Sequence, residues 1–156
     1  MLICNVADSQ TGWFQQNSGT SHGLESVFFL NDQTGFACGG FRIYKTTNGG
    51  TSWTERILSD TTTLTSLRFL NNLTGYACGG RPINNYISYQ HLFKTTNAGE
   101  TWIKIVQSSG TMTTEYFYDV FPIDNFLFLT RGGSGAMGST SGMLWVSTNG
   151  GVNFNF

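Results

Sequence analysis

One eight-residue stretch of this 156-residue chain occurs several times. Thr46-Thr-Asn-Gly-Gly-Thr-Ser-Trp53 returns as Thr95-Thr-Asn-Ala-Gly-Glu-Thr-Trp102. A looser copy is Ser147-Thr-Asn-Gly-Gly-Val-Asn-Phe154, and an outline of it stands near the start as Val6-Ala-Asp-Ser-Gln-Thr-Gly-Trp13. A second block precedes two of the copies. Leu24-Glu-Ser-Val-Phe-Phe-Leu-Asn-Asp-Gln-Thr-Gly-Phe-Ala-Cys-Gly-Gly40 matches Leu64-Thr-Ser-Leu-Arg-Phe-Leu-Asn-Asn-Leu-Thr-Gly-Tyr-Ala-Cys-Gly-Gly80 at an offset of 40 residues. A unit this short cannot bury its own apolar face, so its neighbours must stack on it. The turn residues fall at fixed places and no helical stripe of useful length lies between them.

Short strands repeating every ~40–50 residues signal a β-propeller, with one four-stranded blade per repeat. The expected fold class is therefore all-β: a propeller-type repeat of antiparallel blades, about three and a half in this chain, not closed alone. Residues 1–16 read as a half blade, 24–58 as blade one, 64–106 as blade two and 115–156 as blade three. In blade one the strands are expected at 24–30, 35–38, 41–46 and 53–58. Asn31 to Gly35 turns the chain between the first two, and Asn48-Gly-Gly50 between the last two, where glycine supplies positive φ and Asn makes an Asx-type turn.

The motif has a mechanical reading. Its Asn (Asn48, Asn97, Asn149) accepts hydrogen bonds from turn N–H groups, with Gly50, Gly99 and Gly151 completing the bend. Its aromatic (Trp53, Trp102, Phe154) packs against the hairpin. Losing a buried Trp costs about 3–5 kcal/mol, and losing a capping side chain about 1 kcal/mol; the aromatic is the larger anchor.

These residues carry a resemblance. Ser/Thr-x-Asp-x-Gly-x-Thr-Trp is the Asp-box of BNR repeats, with Asn in place of Asp in three copies here and Asp8 in the outlying one. The longer pattern, Leu-x-Ser through Ala-Cys-Gly-Gly and then Tyr-Lys-Thr-Thr-Asn-Gly-Gly, resembles the repeats related to the photosystem II stability/assembly factor. It is most similar to the form found in large secreted proteins of Bacteroidetes-like bacteria. The resemblance covers nearly the whole chain. It implies the propeller fold and, more loosely, a role in assembly or binding.

The repeat breaks where function is sought. Trp13 to Trp53 spans 40 residues, Trp53 to Trp102 spans 49, and the excess lies in Arg81-Pro-Ile-Asn-Asn-Tyr-Ile-Ser-Tyr-Gln-His91. Blade three has its own long segment at 131–142, read as a flexible loop, and a stretched approach at 107–115. In a four-stranded meander these segments share the face opposite the Asp-box turns. A variable face on a constant scaffold is where a binding surface sits, and equally where unconstrained loops drift. Arg81, Asn84, Asn85, Tyr86, Tyr89 and His91 form the candidate binding loop, suited to stacking on a sugar ring or a peptide. His22 and His91 read as surface loop residues, and Asn72-Leu-Thr74 as ordinary turn residues.

The ends add a further expectation. Ile3-Cys-Asn aligns with Ile43-Tyr-Lys, and Asn153-Phe-Asn-Phe156 opens a last strand. Other copies, or flanking blades of a longer chain, are expected to complete the ring; 3–16 of one copy could pair with blade three of another.

Composition closes off several classes. Charged residues are 11 % of the chain with a net charge of -1, against about 25 % in typical domains. They stand singly, so no basic footprint for nucleic acid or anionic lipid is present. Gly, Thr, Ser and Asn number 20, 21, 14 and 13, which favours turns, strands and an uncharged polar surface. The longest aliphatic or Phe runs, 27–30 and 126–129, are four residues, too short for a membrane helix. No secretory signal is visible in this chain, yet the composition fits a secreted or cell-surface setting. Three cysteines, Cys4, Cys38 and Cys78, make no disulfide framework. Cys38 and Cys78 read as small apolar residues between blades. No paired metal-ligand spacing and no cofactor motif appears. Sialidases carry Asp-boxes and use an arginine triad with a Tyr nucleophile; Arg42, Arg56, Arg68, Arg81 and Arg131 do not fall at matching blade positions. The sequence reading is a non-enzymatic structural or binding module without catalytic residue, metal or cofactor. An assembly chaperone and a glycan-binding or sialidase-like domain are the alternatives.

Overall fold

A computed structural model describes residues 16–58, 62–84, 87–111, 115–134 and 140–154. Within these, 81–84, 87–88, 107–111, 133–134 and 140–141 are described by backbone alone. Of the expected half blade at 1–16, all but Gln16 lies outside the described residues, as do Cys4, Asp8, Trp13, Asn85 and Tyr86.

Eleven strands and no helix make up the described fold. They are β1 Ser26–Phe29, β2 Gly35–Gly39, β3 Arg42–Thr46, β4 Thr54–Ile57, β5 Thr63–Phe69, β6 Gly75–Asn84, β7 Ile87–Thr95, β8 Ile103–Thr111, β9 Tyr116–Ile123, β10 Phe126–Ser134 and β11 Thr140–Ser147. They form three antiparallel meanders, β1-β2-β3-β4, β5-β6-β7-β8 and β9-β10-β11. The third has three strands among the described residues. The first strands of the meanders, β1, β5 and β9, lie against one another, so the sheets fan out from a common inner edge.

Strand alternation puts one apolar row of each sheet into the seam with the next. Phe36, Cys38, Ile43, Leu64, Leu67, Phe69, Ala77 and Phe93 fill the seam between the first two sheets. Tyr76, Cys78, Leu92, Phe117, Val120, Leu127, Leu129 and Trp145 fill the second. In the first seam Phe36 stacks on Phe69 with centroids 4.2 Å apart.

The described residues of the long segments are strand rather than loop. Residues 75–84 and 87–95 pair continuously from Gly75↔Thr95 to Asn84↔Ile87, with one bulge. The inserted residues lengthen a hairpin whose backbone groups must pair somewhere. Likewise 131–134 and 140–142 continue the β10–β11 ladder, through Ser134↔Thr140, and β8 runs on to Thr111. The flexible-loop reading of 131–142 is thus corrected at its described residues, where 131–134 and 140–142 are paired strand, and 107–111 of the stretched 107–115 connection belongs to β8.

Candidate functional site

Each of the three repeated turns is built by the same bonds. Thr46 Oγ1 accepts from Gly50 N at 2.9 Å and donates to Asn48 Oδ1 at 2.9 Å. Asn48 Oδ1 accepts from Ser52 N at 2.9 Å. The second copy repeats this with Gly99 N to Thr95 Oγ1 at 3.0 Å and Thr101 N to Asn97 Oδ1 at 2.9 Å. The third does so with Gly151 N to Ser147 Oγ at 2.8 Å and Asn153 N to Asn149 Oδ1 at 2.9 Å. Each turn also rests on its own sheet's first turn, through Gly49 N to Gln33 O, Ala98 N to Leu73 O and Gly150 N to Asn125 O, all 2.9 Å. Both turns of a sheet therefore share one face.

This face also locks sheet to sheet. Lys45 Nζ donates to Ala98 O in the next turn at 2.8 Å, and Lys94 Nζ donates to Gly150 O at 3.2 Å. Gly99, at φ +78°, leaves no room for a side chain: a Cβ there would sit 2.6 Å from the Phe36 ring. At Gly151, φ +90°, a Cβ would sit 2.8 Å from Ile105. The lysines and these glycines are equivalent between seams, a signal the sequence carried in its repeat but not in any one copy.

The motif aromatics pack edge-on, Trp53 on Phe29 at 6.1 Å and Trp102 on Phe69 at 6.0 Å. Phe154 tilts against Trp145 at 6.0 Å. Both indoles are half-buried, so the fully buried Phe36 and Phe93 fill more of the seam than they do.

On the opposite rim the expected binding loop is divided. Arg81 and Asn84 lie on β6, with Arg81 opposite Tyr89 in the ladder. Tyr89 is half-buried and stacks on His91 at 5.9 Å. His91 is 3 % exposed, which corrects its reading as a surface loop residue: strand β7 points it inward, where Thr62 Oγ1 bonds its Nδ1. On the opposite face of β7 lies Gln90, whose Nε2 donates to Glu115 O at 3.2 Å, with the ion pair of Arg131 and the buried Glu115 next to it. Arg131 also lies over the Trp145 ring. His22 is exposed on the 16–25 segment.

A cleft that sequence reasoning missed opens near the inner edge, lined by Glu25, Thr63, Thr65, Gly80, Tyr116 and Tyr118. Its volume is about 430 Å³. Tyr116 and Tyr118 lie with centroids 4.6 Å apart. Their hydrogen bond, followed by burial, pushes the Tyr118 hydroxyl up to about 12. Gly80 is required here, because a Cβ would meet Tyr116 at 2.2 Å. No single motif marks this cleft; it joins residues of the second and third sheets with Glu25, just before β1.

The remaining candidates for chemistry are occupied by structure. Arg42 pairs with Glu55, Arg56 with Glu100, Arg68 with Asp119 and Arg131 with Glu115. Four arginines thus face carboxylates of the protein rather than one shared ligand point. Cys38 and Cys78 are buried free thiols in successive seams. Burial pushes the Cys38 thiol up to about 12 and raises Cys78 as well, so neither is a ready nucleophile.

No protein-family model matches the chain, and no curated protein sequence does. Solved structures do resemble it. YCF48 from Cyanidioschyzon merolae superposes over 93 % of this chain at 19 % identity and TM-score 0.65, and YCF48 bound to D1 peptide over 88 % at 18 % identity and TM-score 0.64. The α-L-arabinofuranosidase Arb93a of Fusarium graminearum, in complex with an iminosugar inhibitor, matches over 84 % at 15 % identity and TM-score 0.61. The chain spans 40 % and 41 % of the two YCF48 chains and 46 % of the arabinofuranosidase. Binding proteins and hydrolases share this scaffold, so the likeness carries the architecture and not the activity. The chain has an all-β, propeller-type fold whose sheets form an open, partial fan.

Proposed function

We propose that the chain is a non-enzymatic binding and assembly module, a propeller sector that joins other copies of itself or flanking blades of a longer chain. Its repeats are read as Asp-box (BNR) units, and its setting as secreted or cell-surface. One observation carries this reading. Inner sheet faces are packed to near zero exposure, yet the outward face of the third sheet shows Phe121 and Leu144 at 56 % and 59 %; on the first sheet Val27 is 59 % exposed beside Ala37 and Tyr44, which are buried next to the 16–25 segment. Apolar flanks of this kind mark sites of protein contact. The YCF48 structure bound to D1 peptide supports protein binding on this scaffold. The pairing of Arg42, Arg56, Arg68 and Arg131 weighs against the sialidase-like alternative.

A second reading is favoured by the tyrosine cleft: a glycan or extended peptide lying on Tyr116 and Tyr118, among the hydroxyls of Thr63 and Thr65. The two readings are separated by one set of assays on the folded chain. Fluorogenic sialosides and arabinosides are expected to give no turnover above the blank. Turnover that scales with protein and disappears on unfolding overturns the non-enzymatic reading. Glycan-array binding that is lost in Tyr118→Ala assigns the cleft to a sugar.

A further inference from the structure

We propose that the cleft at the inner edge holds a positively charged side chain of an extended peptide, an arginine or lysine, seated on the Tyr116 and Tyr118 rings with the Glu25 carboxylate as its counter-ion. This deepens the second reading of the cleft and rests on the chain being a binding module rather than an enzyme.

The backbone builds the site the same way three times. On β5 the pairing with β6 passes from Leu64↔Gly79 to Ser66↔Cys78, which leaves Thr65 as an extra residue. On β9 the pairing with β10 passes from Phe117↔Arg131 to Asp119↔Thr130, which leaves Tyr118 extra. Just before β1, Glu25 N donates to Cys38 O at 2.8 Å although Cys38 is already the ladder partner of Ser26. The match of Leu24-Glu-Ser with Leu64-Thr-Ser sets Glu25 in the place of Thr65. A β-bulge re-aims the side chain of its extra residue. Each innermost strand thus turns one side chain out of its ladder, and Glu25, Thr65 and Tyr118 line the same cleft.

The chemistry of these residues selects the ligand. Three of the glutamates are paired: Glu55 with Arg42, Glu100 with Lys45 and Arg56, and Glu115 with Arg131. Among the described residues, Glu25 is the glutamate whose carboxylate no cation of the protein meets in an ion pair, and it is exposed. Arg68, on the adjoining strand β5, is held elsewhere: its Nη1 donates to Ser26 Oγ at 3.0 Å and to Leu67 O at 2.8 Å, and it pairs with Asp119. The tyrosines offer ring faces, because their hydroxyls bond each other. Thr65 Oγ1 is engaged too, donating to Phe117 O at 2.7 Å. The cleft therefore presents a carboxylate beside two aromatic rings. A guanidinium or ammonium gains from both, lying within about 6 Å of a ring centroid while its N–H groups donate to the carboxylate. A sugar finds most of the hydroxyls already bonded. The volume of about 430 Å³ falls in the lower half of the ~300–1,000 Å³ of ligand clefts, room for one long side chain rather than an oligosaccharide.

The test is fluorescence anisotropy on the full chain with three labelled peptides of one length: alternating serine and arginine, the same with citrulline, and the same with glutamate. Citrulline keeps the shape of arginine and removes its charge. The arginine peptide is expected to bind about tenfold or more tightly than the citrulline peptide, and the glutamate peptide to give no saturable signal. Glu25→Gln is expected to weaken the arginine peptide by about tenfold and bring it level with citrulline. Tyr118→Leu should weaken it by about three- to tenfold. Asp32→Asn removes an equal charge elsewhere, giving this turn the residue that the matching turn has at Asn72, and is expected to leave binding unchanged. Far-ultraviolet circular dichroism establishes that each variant is folded. Absent binding of the arginine peptide, or equal binding of the arginine and citrulline peptides, overturns the proposal. So does an Asp32→Asn effect as large as that of Glu25→Gln, which reduces the attraction to net charge. Glycan binding lost in Tyr118→Ala overturns it in favour of a sugar. All of these leave the binding-module reading standing, whereas glycoside turnover overturns that reading itself.

Discussion

The turn face and the rim of this molecule are built on opposite plans. On the turn face three hairpins use the same bonds at the same places, Thr46, Thr95 and Ser147 each accepting a glycine N–H four residues on. On the rim nothing repeats. β6 and β7 outgrow their counterparts β2 and β3, and the polar residues buried there fall on both faces of the second sheet, Thr62 and His91 on the first-seam side and Gln90 and Glu115 at the second seam. Repetition marks where local chemistry suffices, since a turn is closed by residues within a few positions of one another. The rim is made of residues far apart in sequence, and its polar groups are buried because the longer strands of the second and third sheets cover them. Structural recurrence is thus no measure of energetic weight.

That comparison can be broken by measurement. The largest effect is expected in the apolar seam that both regions share: Phe36→Ala removes a fully buried ring stacked on Phe69 and should cost about 3–5 kcal/mol by denaturant unfolding. Next is the rim. Arg131→Met strips the buried Glu115 carboxylate of its ion-pair partner, and a loss of about 3 kcal/mol is expected. The repeated turn should matter less: Asn97→Ala deletes the acceptor of Thr101 N and should cost about 1 kcal/mol. If Asn97→Ala proves costlier than Arg131→Met, the ranking of rim over turn is reversed. The smallest effect belongs to Glu100, whose carboxyl is held below the usual range by the hydrogen bond from Lys45, by the Lys45 charge and then by Arg56. A lowered folded-state pKa stabilises above the ordinary carboxylate range and is lost as pH falls through the folded value. Glu100 is exposed, so Glu100→Gln should lower stability by less than about 0.5 kcal/mol at neutral pH. The difference in melting temperature from wild type should vanish in acid.

Much of the fold was legible in advance because repetition exposes it. The expected strands at 24–30, 35–38, 41–46 and 53–58 lie over β1 to β4, since Asn31, Gly49 and Gly50 terminate strands by turn chemistry that needs no distant partner. The site was far less legible. By sequence Tyr89 and His91 read as a loop because their stretch has no counterpart in blade one, yet an insertion placed symmetrically about a turn lengthens both strands of a hairpin. Tyr116 and Tyr118 carry no motif, and they become a cleft wall only because Gly80 lets the first strand of the next sheet approach.

The sequence by itself determined the unit: its strands, its two turns, and the Asn, Gly and aromatic that close the second turn, because each rests on bonds within one hairpin. The tertiary structure decided what the units do to each other. It made Lys45 and Lys94 clamps on the following turn, buried His91 and Glu115 on opposite faces of the second sheet, and left Val27 and Phe121 facing outward. The physical reason is that burial is a property of neighbours. The same row position is core in the second sheet as Leu67 and surface in the first as Val27, according to whether a sheet lies against it.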